Sequence, residues 1–196
     1  MLQKRVSPIL IVGLGNPGIE YRKTRHNVGF MVADSLSHQC NGNFETVHLH
    51  YCMARVKWHK NCLFLMKPLT YMNLSGLAVR NTVITYQIPK ERVLIVYDDI
   101  HLPIGRIRIR KNGSDGGQKG LKSILQTLDT KEVARLRIGV GYPERGGITD
   151  YVLSPFSEQE VPVIKNCIKV ACQAILDFAD KGLDHAMNFY NGLNCE

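Results

Sequence analysis

An α/β fold is predicted: a single domain whose twisted mixed β-sheet is flanked by helices on both faces. Three observations predict it. Ile9–Val12 is an apolar run of buried-strand character, and Arg92-Val-Leu-Ile-Val-Tyr97 is the clearest buried strand in the chain. Each ends in residues that turn the chain or do chemistry, Gly13-Leu-Gly-Asn-Pro-Gly18 after the first and Asp98-Asp99 after the second, as at the carboxyl edge of an open α/β sheet. Strand-like and helix-like periodicities alternate along the rest, with one hairpin that makes the sheet mixed rather than wholly parallel.

Taken in order, Ile9–Val12 is the first central strand. The loop after it matches the dinucleotide-binding spacing Gly-x-Gly-x-x-Gly at Gly13, Gly15 and Gly18. That site requires a helix opening at the glycines and an acid about 20 residues further on. Glu20–His26 is polar with no apolar face of helical period, so the glycines shape a long polar loop instead. Asn27 is a good N-cap, and Val28, Met31, Val32 and Leu36 follow at helical spacing to His38, before Asn41-Gly42. Phe44–His50 alternates as a half-buried strand. Tyr51–Trp58 and Cys62–Lys67 form a hairpin around His59-Lys60-Asn61, stopped by Pro68. The polar and aromatic loop Thr70–Ser75 leads into a helix over Gly76–Tyr86, with Ser75 as its N-cap. Arg92–Tyr97 delivers Asp98 and Asp99. Arg106-Ile-Arg-Ile-Arg110 alternates strictly, so Ile107 and Ile109 face one way and Arg106, Arg108 and Arg110 the other. Gly113–Gly120 is a glycine-rich loop before a helix from Leu121 to Leu128. Val133–Val140 is a strand with Arg135 and Arg137 on one face. Ser157-x-x-Glu160 is a capping box opening a long helix to Asp180; Gly182 breaks it, and a short helix runs from Leu183 to Tyr190.

The 196 residues suit one domain with a full core, and 44% hydrophobic with 21% charged residues is ordinary globular composition. The formal net charge of +8 is not ordinary, and it favours polyanionic partners, nucleic acid before an anionic membrane surface. The six cysteines show no C-x-x-C pair and no finger-like spacing with histidine, which argues for a reducing compartment and against a disulfide framework or a zinc site. Lys4-Arg5 before Ile9–Val12 is too short in its apolar part for a signal peptide, and no apolar run approaches membrane-spanning length.

Of seven histidines, only His26 sits in a glycine-bounded polar loop just after a buried strand; His101, near the Asp98 turn, is the second candidate. Histidine suits proton abstraction from water, and it needs a partner that fixes its tautomer. Asp98, ending another central strand, is the natural partner; the alternative is that it only caps the turn at Asp99–Pro103. Ser75 lacks the nucleophile-elbow pattern, and no cysteine sits in an electropositive loop beside a histidine. Direct attack by water is the simplest chemistry, with the amides of Asn16 and Asn73 placed to hold and polarise a carbonyl. Arg106, Arg108 and Arg110, with Lys111, Lys119, Lys122 and Arg137 nearby, make either a phosphate site or a solvated strand face. Tyr21 and Tyr71 either stack on a base or simply pack.

Gly13–Gly29, reading Gly-Leu-Gly-Asn-Pro-Gly-x-x-Tyr-x-x-Thr-Arg-His-Asn-Val-Gly, resembles the signature of bacterial-type peptidyl-tRNA hydrolase. Lys67-Pro-x-Thr-Tyr-Met-Asn-Leu-Ser-Gly76, Asp98-Asp-x-x-Leu-Pro-x-Gly105, Gly116-Gly-x-x-Gly-Leu-Lys122, Arg135–Gly141 and Ala186-Met-Asn188 follow in family order over nearly the whole chain. The resemblance implies one mixed α/β domain that hydrolyses the ester between a peptide and tRNA without a metal or other cofactor. It implies His26 as general base on water, Asp98 holding it, Asn16 reading the acyl-amino end and Asn73 polarising the scissile carbonyl. Tyr21, Tyr71, Gly117, Gln118 and Lys119 would contact substrate, and Arg108, Arg110 and Arg137 would clamp tRNA phosphate. The partner expected is peptidyl-tRNA, with no membrane, for a cytoplasmic monomer. One departure stands out: where the family's loop reads Gly-Gly-His-Asn-Gly, this chain has Gly116-Gly-Gln-Lys-Gly120. A non-catalytic RNA-binding relative is the alternative that this departure favours.

Overall fold

The computed structural model describes residues 8–195, the side chain of residue 47 excepted; Lys4 and Arg5 lie outside the described residues. Seven strands are described: β1 (Ile9–Gly13), β2 (Glu45–His48), β3 (Tyr51–Trp58), β4 (Asn61–Pro68), β5 (Val93–Asp99), β6 (Ile107–Arg110) and β7 (Ala134–Gly139). They form one sheet in the order β2-β3-β4-β1-β5-β7-β6. β1 is parallel to β4 and β5, and β5 to β7, whereas β2–β3–β4 and β6–β7 pair antiparallel. The sheet is therefore mixed, as the hairpin requires.

The pleat of β1 divides the core. Ile9 and Ile11 pack with α1 (Val28–Gln39) and α5 (Glu160–Lys181), while Leu10 and Val12 pack with α2 (Ser75–Thr85) and α3 (Lys119–Thr127). Apolar residues on both faces explain why β1 and β5 read as continuous hydrophobic runs. Two further helices, α4 (Ile148–Val152) and α6 (Leu183–Tyr190), complete the set, and α4 has no counterpart in the sequence reading. Among the described residues no helix is long and apolar enough to cross a membrane.

Three local differences matter for the site. β5 runs on to Asp99, so both acids belong to the strand itself. Ser75 is the first helical residue rather than the N-cap, because the Met72–Leu74 turn runs straight into α2; its hydroxyl bonds back to the Met72 carbonyl at 2.9 Å. Asn27 occupies the N-cap position of α1 but caps nothing with its side chain. Gly29, in the first turn of α1, sits so close to the strand ends that an added Cβ would lie 2.4 Å from the Val96 oxygen and 2.5 Å from the Leu14 nitrogen. That approach, possible only without a side chain, sets the turn Arg25–Asn27 against the carboxyl ends of β1 and β5.

Candidate active site

A cavity of about 740 Å³ opens at this carboxyl edge. The polar loop after β1 is closed on itself there by a two-point clasp. The Asn16 N–H donates to Asn27 Oδ1 at 2.9 Å, and Asn27 Nδ2 donates to the Asn16 carbonyl at 2.9 Å. Asn16 Oδ1 in turn accepts the Met72 N–H at 3.0 Å. With that oxygen occupied, the end that Asn16 offers the cavity is its amide Nδ2, a hydrogen-bond donor. Asn27, both a cap candidate and one of the loop's polar side chains, does not line the cavity but holds Asn16, which does; its signal is the second asparagine bounding the same loop.

His26 and Asp98, 72 residues apart, meet with Nδ1 2.7 Å from Oδ2. Asp98 is 3% exposed and the His26 side chain 13%. With the Nδ1 proton donated to the carboxylate, Nε2 keeps its lone pair and is the nitrogen left for chemistry. The second carboxylate oxygen is also occupied: Gln118 Nε2 donates to Asp98 Oδ1 at 3.0 Å, and Gln118 Oε1 accepts the Leu121 N–H at 2.7 Å, capping α3. Gln118, expected to contact substrate, lines the cavity but is largely buried, and both ends of its amide are bonded within the protein.

Asn73, Tyr71, Gly117 and Lys119 line the cavity, all of them exposed, as does His101. Tyr21 is not among the lining residues; its carbonyl accepts bonds from Thr24. Arg108 and Arg110 lie on the outer face of β6, opposite the buried Ile107 and Ile109. Arg137, the register partner of Arg108, is ion-paired to Asp99, which itself lines the cavity, so the basic strand face adjoins the site through Asp99 and Arg137. Arg135, the register partner of Arg110 and on the same face of β7 as Arg137, is not exposed there: it is buried and bonds the carbonyls of Gly113, Ser114, Lys131 and Val133, anchoring the foot of the glycine-rich loop.

The segment carrying α4 supplies the apolar wall, with Ile148, Val152 and Leu153. It is tied to the turn bearing His26 through Arg25. The Arg25 guanidinium meets Glu160 with two bonds, 3.1 and 2.7 Å, and lies 4.3 Å over the Tyr151 ring and 4.9 Å over Phe156. Glu160 also closes the capping box, accepting the Ser157 N–H at 2.7 Å while its own N–H reaches Ser157 Oγ at 3.3 Å. Burial alone pushes the Glu160 carboxyl up, but the bonds from Arg25 and Ser157 outweigh it and hold it below the usual range. Burial raises the Tyr97 phenol to about 12, so this cavity residue stays neutral. Burial likewise raises the thiols of Cys40, Cys52, Cys62, Cys172 and Cys195, none of which lines the cavity, so thiolate chemistry has no candidate among them.

A family model described as peptidyl-tRNA hydrolase matches residues 10–196. The chain is 44% identical over 183 residues to a peptidyl-tRNA hydrolase of Caldanaerobacter subterraneus subsp. tengcongensis, covering 93% of this chain and 99% of that one. It is 45% identical over 185 residues to the peptidyl-tRNA hydrolase of Aquifex aeolicus, covering 93% and 95%. The crystal structure of peptidyl-tRNA hydrolase from Acinetobacter baumannii superimposes with a TM-score of 0.92 at 31% identity, covering 99% of this chain and all of the other.

Proposed function

The chain belongs to the peptidyl-tRNA hydrolase family and hydrolyses peptidyl-tRNA, and from that premise we propose that His26, held by Asp98, activates the attacking water. The observation that carries this reading is the 2.7 Å bond that joins His26 Nδ1 to a buried carboxylate and leaves Nε2 basic. Water bonded to Nε2 gives up a proton as its oxygen attacks the ester carbonyl. Asp98 stabilises the imidazolium that forms, and that imidazolium protonates the departing ribose oxygen. The Asn73 side chain, at the cavity mouth, donates to the oxygen of the tetrahedral intermediate.

Asn16 supplies the discrimination. Its Nδ2 donor meets the carbonyl of the acyl-amino bond, which a peptidyl group possesses and a free aminoacyl group lacks. A site built to bond a group rejects the analogue without it, because its own polar atom is left unpaired. Lys119 and Tyr71 at the rim take the terminal nucleotide and its phosphate, and Arg108 and Arg110 the more distant backbone. The working unit in this reading is a single domain and a monomer in the cytoplasm, with tRNA as its nucleic-acid partner.

The test is release of free tRNA from an N-acetylated aminoacyl-tRNA. The parent chain is expected to release it and His26→Ala to lose about a thousandfold in rate, while unblocked aminoacyl-tRNA survives. Binding of the blocked substrate by the parent without release would instead establish the non-catalytic RNA-binding relative.

A further inference from the structure

Gln118 does two jobs with one amide: its Oε1 caps α3 and its Nε2 supports Asp98. The opposite orientation would set NH₂ against the Leu121 N–H and oxygen against a carboxylate, so only one assignment satisfies both partners. The side chain is also wedged in place. Nε2 lies 3.4 Å from Met72 Sδ, and a Cβ added at Gly120 would fall 2.4 Å from that sulfur and 3.0 Å from Gln118 Oε1. Gln118 cannot turn toward a substrate without uncapping α3 and leaving an oxygen of buried Asp98 without its donor.

We propose that Gln118 is a positioning residue of the hydrolytic site. It acts on the substrate only through Asp98, fixing the rotation of the carboxylate so that Oδ2 meets His26. Its N–H neither gains nor loses a proton, so Asp98 keeps this donor at every working pH. The proposal rests on the reading of His26 and Asp98 as the water-activating pair. The other titratable groups around the cavity are Tyr71, Tyr97, Asp99, His101, Asp115 and Lys119. Asp99 is paired with Arg137, and Arg25 beside His26 is turned to Glu160. All of these persist when residue 118 is changed, so a difference in pH response reports on position 118.

Gln118→Met keeps the volume, removes the donor to Asp98 and adds no charge. On N-acetylated aminoacyl-tRNA, its kcat near neutral pH is expected to fall about tenfold or more, with KM within about twofold of the parent. Gln118→His, which supplies a ring N–H of similar reach, is expected to keep most of the kcat that the methionine variant loses. Gln118→Glu keeps an oxygen for the Leu121 N–H and sets a second carboxyl against buried Asp98. The two share a proton that again serves as the donor, so its kcat is expected to fall below the parent's only as rising pH removes that proton. Should Gln118→Met fail to fold, this fall with pH takes its place as the test. A raised KM with the parent's kcat and pH profile would make Gln118 a substrate contact and overturn the proposal, as would unchanged kinetics or a histidine variant that recovers nothing. A parent chain without turnover that depends on His26 would overturn the hydrolytic pair along with it, whereas an active parent beside unchanged variants would overturn the role of Gln118 alone.

Discussion

Asp98 has two carboxylate oxygens, and each has one donor, the His26 imidazole on Oδ2 and the Gln118 amide on Oδ1. Asp98→Asn preserves the shape but presents an amide toward His26. The ring then turns to the other tautomer, with its proton on Nε2, where the base is needed. A loss in kcat of about a thousandfold or more with KM little changed is expected in steady-state kinetics. Asn27→Ala tests a different kind of residue. It removes both bonds of the clasp on Asn16, which is expected to cost about 2 kcal/mol in urea denaturation and to raise KM for blocked substrates. His26, Asp98, Asn16 and Asn73 were legible in the sequence because they follow strongly apolar strands or sit in polar loops between well-marked elements. Asn27 and Gln118 were not legible as clasp and strut. An asparagine before a helix and a glutamine among glycines each have an adequate local explanation; the loop's two asparagines do not show that they bond each other, and nothing near Gln118 reports Asp98, 20 residues away.

At the scale of elements, α5 joins the active-site turn through its first residue. Glu160 closes the capping box with Ser157 and at the same time neutralises Arg25, next to His26. Glu160→Gln keeps the shape and leaves a largely buried guanidinium uncompensated. A loss of about 2 kcal/mol is expected near neutral pH, less than for a fully buried pair because Glu160 remains partly exposed. The sign with pH follows from the depressed carboxyl. Its contribution is fully present above the ordinary carboxyl value of 4.5 and is lost as the pH falls through the lower folded value. The gap between parent and variant in urea denaturation should therefore close in acid; a gap unchanged by pH would mean that the charge on Glu160 is not what stabilises. The capping box and the long amphipathic period made α5 readable in advance. α4 was invisible, since five residues are too few to display a helical period and it is held by Arg25 and by Tyr151 bonding the Val140 carbonyl, not by its own sequence.

For the whole molecule, the net charge of +8 pointed to a polyanion but not to where it lies. The place we propose for it is one edge of the sheet. β6 is an edge strand, its inner residues Ile107 and Ile109 are buried, and Arg108 and Arg110 are left on the other face beside β7. Arg108→Ala and Arg110→Ala are each expected to raise KM and to reduce the slope of log KM against log salt by about one, the signature of one lost phosphate contact. Arg137→Ala should change the slope less, because its charge is already matched by Asp99. Unaltered slopes for Arg108 and Arg110 would remove that edge from the tRNA footprint. The claim on which all of this depends is that His26 and Asp98 act as one unit, and a double-mutant cycle measures it. With single-turnover rates on N-acetylated aminoacyl-tRNA, His26→Ala combined with Asp98→Asn should be no slower than His26→Ala alone, within about threefold. Losses that multiply in the double variant, or a His26→Ala protein that keeps the parent's rate, would contradict it.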